Sequence, residues 1–350
     1  MTGVRIPPSP PSLSTANPQR VARDRSVLTE NSSSRYSKFV VLALLSLCSL
    51  FGGASAWAQT KQLVIIDTDI GDYIDDAYAL ALALRSPEFQ ILGITTTSGD
   101  TNLRAKLAER YLAEAGRSNI PVSAGVPAPP KGTFTQRAYA ERGHFEPAAH
   151  PKAADFILAQ IRKHPGEITL LCLGPLVNEG AMIDQDPRTF RKLKRVVMMG
   201  GSIRRGYDTD TSTHRPPEPE WNIANDIPST QKLFRFGVPI YLMPLDATQL
   251  NLNKNMQQFL LAQPSPIAKI LKALTTEWGN QTPIMYDPLT VAYALKPSLC
   301  PVTPMHIHVD DRGFTRSEPG EPNAHVCLAS NADAFFRFYL ERVAPSHPHN

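Results

Sequence analysis

The sequence predicts an α/β fold in which an open, mostly parallel, Rossmann-like sheet carries helices on both faces within a single domain. Short apolar runs alternate with helical patterns along the chain, which is typical of a parallel sheet. The run Leu63–Ile66 is continuously apolar, as in a strand covered on both faces. A glycine-containing turn and an Ala/Leu-rich segment follow it directly, as in a βα unit.

The individual elements follow from apolar runs, periodicity and turn residues. Strands are predicted at Leu63–Ile66, Gln90–Thr96, Pro121–Ser123, Ile168–Leu173, Arg195–Met199 and Pro239–Leu242. Helices are predicted at Asp75–Leu84, Asn102–Ala115, Lys152–His164, Asn178–Asp184, Ser229–Phe236, Met256–Leu261, Ile267–Trp278 and Ala332–Val343. The segment His306–Leu328 is predicted to form a terminal hairpin with a loop.

The first 58 residues differ in composition from the rest. Residues 1–38 are rich in Pro, Ser and Arg, and the apolar run Phe39–Phe51 follows basic Arg35 and Lys38. This run is short for a membrane span, and Ala56 and Ala58 form a small-residue cleavage signal. We therefore expect a secretory leader over residues 1–58, cleavage after Ala58, one domain over residues 59–350, and a secreted or periplasmic protein.

Net charge gives no indication of nucleic-acid or membrane binding. The leader holds six Lys or Arg and two acidic residues, which accounts for the whole formal charge of +4. The remaining chain has 30 basic and 30 acidic residues, so its own charges are balanced and favour neither partner.

Three cysteines follow the leader. This odd, sparse set is not a disulfide framework, and Cys172, inside an apolar run, is expected to be a buried thiol. Cys300 and Cys327 are expected to be unpaired, although an oxidising compartment would allow one bridge between them.

Five carboxylates lie within ten residues at the end of the first predicted strand: Asp67, Asp69, Asp72, Asp75 and Asp76. Carboxylates gathered in one turn repel one another, and a hard cation such as Ca²⁺ or Mg²⁺ compensates their charge. Asp75 and Asp76 also begin a helix, whose N-terminus favours negative charge. The cluster would lie beyond the carboxyl end of a strand, where open α/β sheets bind ligands. The sequence therefore predicts a metal site in an enzyme, because helix capping would explain only one or two of the five.

Two long polar loops, Val126–Pro147 and Ser202–Pro219, are candidate functional segments. The second precedes Glu220 and is a candidate lid, although a solvated connection is an equally good interpretation. Trp221 is expected in the core. Trp278 and Tyr286 are candidates for an aromatic wall, with ordinary packing at least as well supported.

Five motifs, in order, resemble the calcium-dependent nucleoside hydrolases of the inosine-uridine preferring type. The first is Asp-Thr-Asp-Ile-Gly at 67–71 with Asp-Asp-Ala-Tyr-Ala-Leu at 75–80. The others are Leu173–Asn178, Val197–Gly201, Glu220–Asp226 and Asp287–Leu289. Five motifs in order are more specific than one. The resemblance implies hydrolysis of the N-glycosidic bond of ribonucleosides to ribose and free base, with Ca²⁺ as cofactor, in a homodimer or homotetramer.

The resemblance also assigns roles to the matching positions. Four would ligate calcium: Asp69, Asp76, Asp287 and the backbone carbonyl of Val177. Four would bind the ribose: Asp75, Asp100, Glu220 and Asn222. Four would support the site: Asp67, Asp72, Met199 and Tyr286. Asp69 would also take a proton from the calcium-bound water, and Asp75 would accept a hydrogen bond from the 2′-hydroxyl.

Three features depart from the common pattern of the family. Three residues, Asp72–Ile74, separate the glycine from the Asp-Asp pair, where one is usual. Asp100 stands where Asn is usual, so contacts to the sugar are expected to differ, because a carboxylate cannot donate. Tyr286 stands where some members carry a His proposed to protonate the base, and a phenol with a pKa near 10 is a weaker acid. Base preference is therefore not predicted.

The sequence leaves two alternative functions open. A haloacid-dehalogenase-type phosphotransferase also ends a strand in Asp-x-Asp, but that family would need Thr or Val where Gly71 stands. A secreted calcium-dependent nucleoside- or ribose-binding protein with little turnover belongs to a different class. The intact set of calcium ligands favours the enzyme, whereas Asp100 and Tyr286 keep the binding protein as an alternative.

Overall fold

The computed structural model describes residues 60–129, 132–142, 150–208, 215–279 and 281–344. The predicted leader lies outside these residues, as do parts of the two polar loops. Among the helices of the described residues, none is long and apolar enough to cross a membrane.

Within the described residues, nine strands form one sheet in the order β3-β2-β1-β4-β5-β6-β9-β7-β8. The strands are β1 (Gln62–Thr68), β2 (Phe89–Thr96), β3 (Val122–Ala124), β4 (Thr169–Cys172), β5 (Arg195–Met199), β6 (Ile240–Met243), β7 (Val302–Val309), β8 (Thr315–Glu318) and β9 (Ala324–Cys327). Strands β1 to β6 and β9 pair in parallel, whereas β7 is antiparallel to both β9 and β8. The predicted open, mostly parallel sheet is confirmed.

The helices of the described residues alternate with the parallel strands. They are α1 (Asp75–Leu84), α2 (Thr101–Glu114), α3 (Arg137–Glu141), α4 (Ala153–Lys163), α5 (Val177–Gln185), α6 (Pro187–Phe190), α7 (Trp221–Asn225), α8 (Ile227–Phe236), α9 (Leu245–Thr248), α10 (Lys254–Leu261), α11 (Pro266–Trp278), α12 (Tyr286–Leu295) and α13 (Ala332–Val343), with a 3₁₀ turn at Pro297–Leu299. Every predicted strand of the parallel sheet and every predicted helix agrees with the structure to within two residues at each end.

Two predictions of secondary structure need correction. The C-terminal segment is more than a hairpin: β7 and β8 form one, but β9 inserts beside β6, where His325 and Val326 pair with Tyr241 and Leu242. Five helices of the described residues were not predicted: α3, α6, α7, α9 and α12. The longest of them, α12, contains Pro288. This proline lies in the first turn of the helix, where a backbone N–H has no helical partner to lose.

The expectation that Cys300 and Cys327 are unpaired is wrong. The two residues form a disulfide, and their Cα atoms are 5.7 Å apart. Their proximity follows from strand pairing, because Val302 of β7 lies opposite Cys327 of β9. A cysteine count cannot reveal this pairing. Cys172 is a buried free thiol, as predicted.

Successive residues of β1 pack into two separate hydrophobic cores. Val64 and Ile66 contribute to one core, and Ile65 contributes to the other. The first core also contains residues of α1, α2, α11, α12 and α13, and the second contains residues of α4, α5 and α8. Helices therefore cover both faces of the sheet, which explains why the strand is continuously apolar.

Two Ala/Leu-rich helices position the site. All residues of α1 except Leu84 are buried, and α1 packs against α12. A helix that is apolar on all sides can be accommodated only in the interior of a protein. Because both helices begin at the same edge of the sheet, the acidic residues of their first turns, Asp75, Asp76 and Asp287, come together.

Candidate active site

A cavity of about 450 Å³ lies at the carboxyl ends of the central parallel strands. Six acidic side chains line it: Asp69, Asp72, Asp75, Asp76, Glu220 and Asp287. Strand β1 pairs with β2 on one side and with β4 on the other. The strand order therefore reverses between β1 and β4, and the neighbouring connections run in opposite directions from this point. This is the usual position of a ligand site in an open α/β sheet.

Three carboxylates lie closest together. Asp75, Asp76 and Asp287 each offer an oxygen within 4.8 Å of the others, and each residue is at most 4% exposed. Asp287 donates its backbone N–H to Oδ2 of Asp75 at 3.1 Å, so Asp75 links the first turns of α1 and α12. Buried carboxylate oxygens at this spacing suit a hard cation.

Asp69 follows β1 and lines the same cavity. The neighbouring Thr68 donates its hydroxyl to Oδ1 of Asp76 and so ties the end of β1 to α1. Asp67 is buried outside the cavity lining, where it accepts hydrogen bonds from the Thr95 hydroxyl and from Nδ2 of Asn178. These bonds hold β1 against β2 and α5 beneath Asp69.

Burial raises the pKa of the carboxyl groups around the cavity. The pKa of Asp69 and of Asp75 rises to about 7 through desolvation. Desolvation, with repulsion from the neighbouring carboxylates, raises the pKa of Asp76 and Asp287 well above the usual range. Arg104 opposes these shifts at Asp69 and Asp76. These four carboxylates offer buried oxygen ligands, and in the ionised state they need a nearby positive charge. They therefore fit a divalent cation.

Glu220 and Asn222 are fixed at the ends of β4 and β5. Glu220 caps α7, and its carboxylate oxygens accept the N–H groups of Asn222 and Gly201, both at 2.9 Å. Nδ2 of Asn222 donates to the carbonyls of Leu173 at 2.8 Å and Met199 at 3.2 Å. A carboxylate and an amide held in this way suit a ligand that carries several hydroxyl groups.

Aromatic side chains form another part of the lining. The ring centroid of Tyr286 lies 5.8 Å from that of Tyr73 and 6.2 Å from that of Tyr207. Trp221, expected in the core, instead lines the cavity and is 42% exposed, because the short helix α7 begins at the cavity. Trp278 packs behind Tyr73 at 5.0 Å and is not part of the lining. Apolar ring faces with polar edges suit a planar heteroaromatic ligand.

Besides Asp67, two predicted site residues do not line the cavity. Val177 is the first residue of α5, five residues beyond the end of β4, and Leu173 is the residue of this connection that reaches the cavity. Asp100 caps α2 by accepting the N–H of Leu103 at 3.0 Å and lines a neighbouring cavity. The positions of Val177 and Asp100 are set by the starts of α5 and α2, and the spacing of the motifs does not reveal where these helices start.

Seven residues that line the cavity were not among the predicted site residues: Tyr73, Gly132, Thr133, Thr135, Leu173, Tyr207 and Trp221. Arg104, which pairs with Asp72 of the lining, was not predicted either. Tyr73 lies in the lengthened turn after β1, and Tyr207 lies in the candidate lid. An aromatic residue within each of these polar segments could have indicated a lining residue. Leu173 contributes through its place directly after a strand. Arg104 had no distinguishing signal, because an arginine in a polar helical pattern usually faces solvent.

The fold and the acidic cavity with its aromatic wall are those of an α/β enzyme that acts on a small polar molecule. Residues 64–337 match the family described as inosine-uridine preferring nucleoside hydrolase. The chain belongs to this family.

Relatives across most of the chain agree with this assignment. An uncharacterized protein of Schizosaccharomyces pombe is 32% identical over 67% of this chain and 81% of its own length. Pyrimidine-specific ribonucleoside hydrolase RihA of Citrobacter koseri is 28% identical over 80% of this chain and 97% of its own. The solved structure of the plant nucleoside hydrolase PpNRh1 superposes with a TM-score of 0.72 and 26% identity, covering 81% of this chain and 98% of that one.

Family membership establishes the reaction. The protein hydrolyses the N-glycosidic bond of ribonucleosides and is therefore an N-glycosyl hydrolase. The family is metal-dependent, and the acidic cluster agrees with that chemistry. The phosphotransferase alternative is excluded.

Proposed function

We propose that the protein is a calcium-dependent ribonucleoside hydrolase in which Asp69 accepts a proton from the attacking water. The observation that carries this proposal is the convergence of Asp69, Asp75, Asp76 and Asp287 on one cavity where each is at most 8% exposed. Buried carboxylates repel one another strongly, and a hard divalent cation is the counter-charge that oxygen ligands bind best.

Asp69, Asp76 and Asp287 would hold the cation, as the family resemblance implies. In this proposal the carbonyl of Leu173 takes the place of that of Val177, because Leu173 lines the cavity and Val177 does not. When bound, Ca²⁺ would neutralise the carboxylates and make water more acidic.

Asp69 is suited to act as the general base. It lines the same cavity as the other proposed cation ligands, Asp76 and Asp287, so it would lie close to a water bound by the cation, and a general base must lie within hydrogen-bond reach of the proton that it takes. Water attacks the anomeric carbon while the bond from this carbon to the base nitrogen breaks. The electron pair of that bond leaves with the base, and Asp69 holds the proton released by the water.

The departing base carries additional electron density, which a hydrogen-bond donor would stabilise. Burial raises the pKa of Tyr286 and of Tyr207 above the usual value for a phenol, so both side chains stay protonated at neutral pH. The Tyr207 hydroxyl already contacts Glu220 at 3.4 Å and the Trp221 N–H at 2.9 Å. We therefore assign the donor role to Tyr286.

Three residues would hold the ribose. Asp75 is oriented by the N–H groups of Asp76 and Asp287, which its two oxygens accept at 3.2 and 3.1 Å, and it would accept the 2′-hydroxyl. Glu220 and Asn222 would bind the 3′- and 5′-hydroxyls. Asp100 is omitted from this set, because its carboxylate caps α2.

Pyrimidine ribonucleosides are the proposed substrates within this class. The name of the RihA relative, which aligns along 97% of its length, supports this choice. Uridine and cytidine are therefore expected to be hydrolysed faster than inosine and adenosine.

Export and self-association complete the proposal. The predicted leader supports secretion or a periplasmic location, and the disulfide between Cys300 and Cys327 is compatible with it, since disulfides persist in oxidising compartments. The homodimer or homotetramer that the resemblance implies is measurable by size-exclusion chromatography with light scattering.

The decisive experiment measures ribose release by purified protein (residues 59–350) from uridine, cytidine, inosine and adenosine, with and without EGTA. The expected result is hydrolysis that EGTA abolishes and added Ca²⁺ restores. Hydrolysis that EGTA does not affect would refute calcium dependence. Tight calcium and nucleoside binding without ribose release would instead support the binding protein.

A further inference from the structure

The turn between β1 and α1 is held from outside along its whole length. Arg104 donates from Nη1 to the carbonyls of Asp69 and Ile70. The backbone N–H of Gln136 donates to the carbonyl of Gly71 at 3.1 Å. The remaining two carbonyls of the turn, at positions 72 and 73, accept from the Thr135 hydroxyl at 2.6 Å and from Nε2 of Gln136 at 3.2 Å. Every carbonyl from position 69 to position 73 therefore has a partner outside the turn.

Arg104 contacts both the backbone and a side chain of the turn. The residue is 3% exposed, and its Nη2 donates to Oδ2 of Asp72 at 2.9 Å. Its Nε donates to the carbonyl of Ser98 at 2.8 Å. Ser98 has a φ of +62°, a left-handed conformation that is unfavourable for a residue with a side chain. This strained loop presents its carbonyl to the guanidinium.

Phe134 packs against the same turn. A Cβ atom added to Gly71 would lie 2.4 Å from the ring of Phe134, and Gly71 has a φ of +128°. The guanidinium of Arg104 lies 5.4 Å from the centroid of the same ring. We call Arg104, Phe134, Thr135 and Gln136 the turn clamp.

We propose that Arg104 is a positioning residue for catalysis, acting through the turn that carries Asp69 at one end and leads to Asp75 and Asp76 at the other. This inference rests on the proposed role of Asp69. The turn has no regular secondary structure, so its own hydrogen bonds do not fix the separation between the base and the first turn of α1.

A displacement of about 1 Å in a reacting group lowers a rate by about 10²-fold. Lysine cannot replace Arg104 in this role, because one ammonium group lacks the planar fork that reaches three carbonyls and a carboxylate together.

The test compares Arg104→Ala and Arg104→Lys with a matched control, Arg110→Ala. Arg110 lies on the same helix and also donates to backbone carbonyls, those of Tyr139 and Arg142, but it does not contact the turn. Arg104→Ala is expected to lower kcat for uridine about 10²-fold with a smaller change in KM, because Glu220 and Asn222 stay in place. Millimolar guanidinium is expected to restore part of the lost kcat.

Calorimetric Ca²⁺ affinity gives a readout that does not need turnover. It should fall for both Arg104 variants and stay unchanged for Arg110→Ala, whose kcat and KM should also stay at the wild-type values. Should Arg104→Ala fail to fold, the Lys variant carries the test, because it keeps the positive charge.

Three results would overturn the inference. One is a kcat for Arg104→Lys within about threefold of wild type together with unchanged Ca²⁺ affinity. A second is an equal loss of kcat in the Arg104 and Arg110 variants. A third is a loss in folded Arg104→Ala that guanidinium does not reverse. If the wild-type protein released no ribose at all, the proposed function would fail instead, and the Ca²⁺ affinities would still test the clamp.

Discussion

Removing the cation should make the folded protein less stable as the pH rises, and Ca²⁺ should reverse this trend. Burial raises the pKa of Asp69 and Asp75 from 3.8 to about 7 in the folded protein without a cation. Between these values the folded protein binds more protons than the unfolded chain does. The free energy of unfolding therefore falls as the pH increases from about 4 to about 7.

The size of the effect follows from the shift. One pKa unit corresponds to about 1.4 kcal/mol, so the shift of Asp69 from 3.8 to about 7 amounts to about 4 kcal/mol for this carboxyl taken alone. Native domains are stable by only about 5–15 kcal/mol. Ca²⁺ at one hundred times its Kd would contribute about 2.7 kcal/mol of stability.

Thermal unfolding at pH 5.5 and pH 8, with EGTA or with Ca²⁺, tests this reasoning. In EGTA the Tm should be lower at pH 8 than at pH 5.5. Ca²⁺ should raise the Tm strongly at pH 8 and weakly at pH 5.5, where protons compete for the carboxylates. Glu179, which is buried outside the cavity, also has a raised pKa, but its contribution cancels in the difference between Ca²⁺ and EGTA. An equal Ca²⁺ effect at both pH values would refute the argument.

Three substitutions test the remaining parts of the site and fold. Asp69→Asn is expected to lower kcat by about 10²–10⁴-fold, the usual contribution of a general base, and a loss below tenfold in ribose release would contradict its role. Tyr286→Phe removes the proposed donor to the base, so it should slow uridine hydrolysis but spare 4-nitrophenyl riboside, whose leaving group needs no donor; equal losses with both substrates would reject the assignment. Cys300→Ser opens the disulfide to Cys327 and should lower the free energy of unfolding by about 2–4 kcal/mol, and an unchanged urea midpoint would argue against a stabilising bridge.

The sequence predicted those parts of the fold that depend on local pattern. Strand β1 and helix α1 were recognised because each is continuously apolar and sharply bounded, and because Asp75 and Asp76 mark the helix start. The acidic cluster was recognised because its residues are close in the chain. Asp287, more than 200 positions away, was found only through the order of family motifs.

Features that depend on nonlocal pairing were not predictable in this way. The disulfide of Cys300 requires that β9 insert between β6 and β7, and the strand patterns do not specify that order. Leu173 rather than Val177 lines the cavity, and this depends on where α5 begins after β4. Arg104 is buried only because the turn at 69–73 supplies carbonyl acceptors, and those acceptors exist only in the folded chain.

The lengthened turn after β1 lies between Asp69 and the aromatic side chains that line the cavity. Its additional residues include Asp72, which pairs with Arg104 at 2.9 Å, and Tyr73, which contacts Tyr286 at 5.8 Å. The Tyr73 hydroxyl also accepts the N–H of Ile284 at 3.0 Å, just before α12 begins. The turn that follows Asp69 therefore also supplies Tyr73 to the aromatic lining of the cavity. Because this one turn both follows Asp69 and carries Tyr73, we expect a change in its length to alter base preference and turnover together.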